Sequence, residues 1–107
     1  MYEGCQADLK MEWVISMDAV FDEEVYCCKV FKYDAEEDHM QLLLENGELS
    51  DISLDAKYDC TISTKTELLA CSGVVEERFH NEKGSVLIFK IENGFYNRFS
   101  EEKKIVN

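Results

Sequence analysis

The sequence predicts an all-β fold: a small antiparallel β-barrel of about six strands, with room for one short terminal helix. Three observations predict it. Short runs rich in Val, Ile, Tyr and Phe recur along the chain. Apolar and polar residues alternate within those runs, so one face of each can enter a core. Polar clusters separate the runs, and the five glycines sit mostly where turns are wanted. The chain shows no repeat, low-complexity tract or linker, which supports one domain over residues 1–107 with the barrel core at about 10–99. A domain of this size buries roughly 65% of its unfolded surface, enough to stand without disulfides or metal.

The elements read as follows. Asp8 to Phe21 fits two patterns: Met11, Trp13, Ile15 and Met17 alternate as in a strand, while Leu9, Trp13, Met17 and Phe21 recur at helical spacing. A strand suits the β-rich remainder better. Val25 to Tyr33 carries Val25, Tyr26, Val30, Phe31 and Tyr33, all β-formers. Asp34 to Asp38 forms a polar turn, and Met40, Leu42 and Leu44 then give a strand with one apolar face. Asn46-Gly47 is a two-residue hairpin signal.

Tyr58, Cys60 and Ile62 share one strand face, and Leu69, Cys71 and Gly73 share another. A four-residue loop, Thr64 to Glu67, sets Ile62 against Leu69, Cys60 against Cys71 and Tyr58 against Gly73. A slip by one residue would destroy that match. Gly73 then leaves its bare backbone open to the Tyr58 ring. Glu82-Lys83-Gly84 fits a three-residue loop ending at a positive φ. That register opposes Phe79 to Leu87, Val75 to Ile91 and Glu76 to Lys90. Asn93-Gly94 is a further hairpin signal, with Phe95 to Phe99 as a last strand, and Ser100-Glu101-Glu102 can cap a short terminal helix.

Charge excludes several partners. The 23 acidic residues outnumber 11 basic ones, for a net charge of −12, and Arg78 and Arg98 are the only arginines. Nucleic-acid binding needs clustered Lys and Arg, so no nucleic-acid partner is expected. An anionic membrane surface would repel the chain, and no segment reaches the ~18 apolar residues of a membrane span. Residues Met1 to Cys5 have no basic region followed by an apolar run, which predicts a cytoplasmic protein with reduced thiols. Solubility accounts for the charge more simply than steering towards a basic partner does. Self-association stays open, since edge strands pair readily while like charge opposes approach.

No catalytic constellation stands out. Cys27 and Cys28 are adjacent in a strand and point to opposite faces; Cys60 and Cys71 face each other as core thiols, or as a strained disulfide or half of a metal site. His39 and His80 sit beside turns, without a nucleophile motif. Asp34 to Asp38 lacks the glycine of a calcium loop. The aromatics, among them Tyr26, Phe31, Tyr33, Phe79 and Phe95, suit a core or a protein-contact patch, since no basic residues interleave them. No cofactor is expected.

Residues from about Glu24 to Tyr96 resemble the small β-barrels of the PilZ superfamily, bacterial domains that sense cyclic di-GMP. They also resemble the related barrel N-terminal to PilZ in flagellar brake proteins. The local resemblance is Asp51-Ile52-Ser53-Leu54-Asp55-Ala56, similar to the family's D-x-S-x-x-G ligand loop. Ala56 stands in place of the glycine. The family's R-x-x-x-R arm has no counterpart, and bidentate arginine dominates phosphate and guanine recognition. The resemblance therefore implies a ligand-silent barrel that binds or regulates through protein–protein contact. Two alternatives remain: a small-ligand sensor whose degenerate site uses Asp51, Ser53 and Arg78, and a cysteine-based metal or redox protein.

Overall fold

The computed structural model describes residues 1–17 and 20–97. Six antiparallel strands close into a barrel: β1 (Gln6–Val14), β2 (Val25–Asp34), β3 (His39–Leu44), β4 (Ala56–Ser63), β5 (Leu68–Asn81) and β6 (Gly84–Asn97). The all-β class and the strand number are those the sequence predicts. Around the barrel the order is β1-β2-β3-β6-β5-β4. Two three-stranded meanders thus meet along two seams, β1 with β4 and β3 with β6. No helix among the described residues is long and apolar enough to cross a membrane.

Alternation explains the core. Leu9 and Met11 of β1, Tyr26 and Val30 of β2, Met40 and Leu42 of β3, Tyr58 and Ile62 of β4, and Phe89 of β6 all point inward and are buried. Each such side chain contributes roughly 1.5–3 kcal/mol on leaving water. A ring cluster of Tyr2, Tyr33 and Phe95, with centroids 5.1–6.0 Å apart, packs against one end of the core.

The β4–β5 hairpin has the expected register: Ile62 opposes Leu69, Cys60 opposes Cys71 and Tyr58 opposes Gly73. Its loop is Thr64 to Glu67, closed by the Thr64 amide donating to the Glu67 carbonyl at 3.0 Å. Thr64 Oγ1 also accepts from the amides of Thr66 and Glu67. Gly73 answers to its other neighbour as well. A Cβ there would lie 1.9 Å from the Lys90 carbonyl oxygen of β6.

Four expectations need correction. The β5–β6 hairpin turns through Glu82-Lys83, with Asn81 opposite Gly84 at φ 123°. Phe79 therefore opposes Val86, and after a bulge Val75 opposes Phe89 and Val74 opposes Lys90. Glu76 instead meets His39, Oε1 to Nε2 at 2.6 Å, while Lys90 Nζ donates to the Glu37 carbonyl at 3.0 Å.

Asn93-Gly94 is not a hairpin. A type I′ turn needs positive φ at both central residues, and neither has it. β5 is long enough for β6 to pair on through this point, and Asn93 Nδ2 donates to Ser72 Oγ at 3.0 Å. The expected terminal helix at Ser100 to Glu102, and Phe99, lie outside the described residues.

Asn46-Gly47 does not join paired strands either, because β3 and β4 are not neighbours. Asn46 serves as a substitute strand residue: its Oδ1 accepts from the Cys27 amide at 2.6 Å, and its Nδ2 donates to the Val25 carbonyl at 3.3 Å. The strand reading of Asp8 to Phe21 holds only as far as Val14, where β1 ends, and a bulge between Met11 and Trp13 breaks the alternation. Beyond it Val14 packs against the core, and Trp13 and Ile15 face solvent.

Candidate functional site

The crossover from β3 to β4 builds one wall of an open concavity. It contains a one-turn 3-10 helix, Leu49–Asp51, and then lays Ile52 into the barrel as a fully buried core residue. The helix carries a reciprocal capping box: the Glu48 amide donates to Asp51 Oδ2 at 2.9 Å, and the Glu48 side chain accepts from the Asp51 amide. Beneath the crossover, Tyr58 is fully buried and its hydroxyl accepts from the Ser53 amide at 3.0 Å. Burial pushes the Tyr58 phenol above its ordinary range, although the Ser53 amide opposes that shift.

Between this crossover and the β1–β2 connection lies an open cleft of about 630 Å³. Its lining includes Met11, Val20, Phe21, Asp22, Asp51, Ser53, Leu54, Asp55 and Arg78. The fold therefore brings Asp51 and Ser53 of the crossover together with Arg78 of β5. Each already has work inside the protein. Arg78 Nη1 donates to the carbonyls of Leu49, at 2.9 Å, and of Ile52. Asp51 completes the capping box. Ser53 Oγ accepts from the Asp55 amide at 3.0 Å.

Sequence reasoning missed the other wall. Val20, Phe21 and Leu54 are exposed apolar residues on the cleft. Asp22 fixes that wall. It accepts from the Tyr26 hydroxyl and, at 2.9 Å, from the Glu24 amide, while its own amide donates to Met11 Sδ at 3.3 Å. Burial, and next Asp22, push the Tyr26 phenol well above its usual range. The available signal was the abrupt change from Val20-Phe21 to Asp22-Glu23-Glu24, two apolar residues with no strand alternation followed by three acids.

A second concavity of about 340 Å³ lies on the outer wall around the His39–Glu76 pair, with Lys32, Asp34, Gln41, Glu77 and Ile88. Its lining supplies no hydroxyl or thiol nucleophile that the histidine could activate.

The thiols lie elsewhere. Cys28, Cys60 and Cys71 are buried, and Cys5 and Cys27 are half-buried. Burial, and next the neighbouring Cys27, push the Cys28 thiol up to about 12. The hydrogen bond with Cys71, and then burial, raise Cys60 well above its ordinary value. Burial, and next Asp8, raise Cys27. Access and thiolate character govern reactivity, so a thiol reagent near pH 8 should label the half-buried Cys5 and Cys27 in the native protein and the three core thiols only after unfolding. Native labelling of all five at one rate would contradict this placement. Among the described residues no group of three or more His, Cys, Asp or Glu is arranged to hold a metal ion.

No protein-family model, curated protein or solved structure matches this chain.

Proposed function

We propose that the protein is a non-catalytic binding or regulatory barrel that works by contact with another protein. In this reading it is a cytoplasmic bacterial domain, similar to PilZ but without a working cyclic di-GMP clamp. The observation that carries the reading is the use of Arg78: its Nη1 is spent on the Leu49 and Ile52 carbonyls of the crossover. The apolar wall of Val20, Phe21 and Leu54 supports it further, since exposed apolar side chains beside a cleft suit protein contact. The apolar lining of the barrel and its charged exterior reverse the pattern of a lipid-facing barrel.

A sensor reading keeps one observation in its favour, the meeting of Asp51, Ser53 and Arg78 on a single cleft. Calorimetry with cyclic di-GMP at micromolar concentration separates the two. A flat trace is the expected result, and saturable heat lost in an Arg78→Met variant would favour the sensor. Capture from a lysate of the source cells should retain a protein with the wild type and lose it with Phe21→Ser. Retention no better than background, or retention indifferent to Phe21, would overturn the protein-contact reading.

A further inference from the structure

We propose that the cleft receives a basic amphipathic segment of the partner, its apolar side chains on Val20, Phe21 and Leu54 and its lysines or arginines against Asp22 and Asp55. The proposal rests on the protein-contact reading above and specifies the chemistry of that partner.

The exposures decide the apolar half. Val20 is 83% exposed, Phe21 46% and Leu54 44%, so all three keep apolar area to bury against a partner. They come from two connections on facing sides of the cleft, which are held at Asp22 and at Asp55. Asp22 is tied to Tyr26 and Glu24, and the Ile15 amide donates to the Asp55 carbonyl at 2.7 Å. Held walls reduce the ordering cost of binding.

Charge decides the other half. Among the described residues, the carboxylates of Asp22, Asp51 and Asp55 line the cleft against one guanidinium, that of Arg78, which is already bonded to two carbonyls. Exposed Glu23 and Glu24 follow directly on Asp22, and the whole chain carries −12. An acidic or neutral apolar segment would bury its side chains among unanswered negative charge. A basic one answers that charge and is drawn in from a distance. A second copy of this chain brings the same acidic rim and is repelled.

The test uses the full chain and two designed helical peptides of leucine with lysine or leucine with glutamate, of equal length and apolar pattern. The lysine peptide should bind with a micromolar dissociation constant, and the glutamate peptide should not. Raising salt from about 50 to about 300 mM should weaken the lysine peptide severalfold, because exposed charges are screened. Phe21→Ser should weaken it about tenfold or more, as loss of an apolar anchor does. Asp22→Asn with Asp55→Asn should also weaken it severalfold, whereas Glu36→Gln with Glu37→Gln, on the β2–β3 turn, should not. Circular dichroism confirms that each variant is folded. Failure of the lysine peptide, equal weakening by both acidic pairs, or a dimer that Phe21→Ser dissolves would overturn the proposal. Lysate capture that depends on Phe21 while the lysine peptide stays unbound would sink the basic segment but leave the protein-contact reading standing. Loss of both would remove both.

Discussion

Replacing Gly73 by alanine should destabilise the barrel by at least about 3 kcal/mol, a fall in melting temperature of about 15 °C for a domain of this size. The added Cβ would sit 1.9 Å from the Lys90 carbonyl oxygen and 3.1 Å from the Ile91 Cα. Both are backbone atoms of β6, so no side-chain rotation relieves the clash. β6 must move away from β5 at the place where their register shifts between Ser72 and Gly73. Gly94→Ala is the matched control. Its Cβ would meet nothing within 4 Å, so the change should be close to neutral. Thermal melting of the two variants decides the matter. A Gly73→Ala loss of under about 5 °C would mean that the strands are spaced more widely than described.

Tyr58→Ala should cost about 3–5 kcal/mol, as large aromatic deletions in cores do. Tyr58 is among the largest fully buried side chains and also joins the core to the crossover through the Ser53 amide. Tyr58→Phe separates these roles. It keeps the ring and leaves the Ser53 amide without its acceptor, at about 1–3 kcal/mol. Urea titration of both variants should rank the losses in that order. If phenylalanine costs as much as alanine, the hydroxyl and not the ring holds this part of the molecule.

The sequence was most legible where side-chain alternation and loop chemistry agreed. Thr64 to Glu67 and the two strands around it satisfied both, and their register could be read residue by residue. Where one extra residue enters a strand, alternation misleads. The bulge before Trp13 turned an apparently inward face outward, and the two-residue turn at Glu82-Lys83, followed by the slip between Val75 and Glu77, undid the expected Glu76–Lys90 pair. Asn-Gly pairs misled for another reason. They permit a tight turn but do not require one, and at Asn46 a side-chain amide completed the strand edge instead.

The site was legible in part. Asp51, Ser53 and Arg78 do meet on one cleft, but the sequence could not say that their polar atoms would be taken up by the crossover itself. That depends on where the 3-10 turn directs the Leu49 and Ile52 carbonyls, and on β5 reaching far enough to present Arg78 to them. Phe21 was counted in the periodic stretch from Asp8, whereas it lies in the connection after β1, where spacing does not mark which apolar residues face a cleft.

The arrangement of two meanders and two seams has a consequence for how the molecule comes into being. Pairs inside each meander join residues close in the chain, whereas the seams join Gln6 to Ser63 and His39 to Lys90. Loop-closure entropy sets the local pairs first and the seams last. The cleft takes Met11 and Phe21 from the first meander and its connection and Arg78 from the second, so it needs both meanders joined. The cleft is therefore absent from any half-assembled chain. A partner that recognises the cleft recognises completed folding, and nascent or damaged copies are passed over without any separate act of inspection.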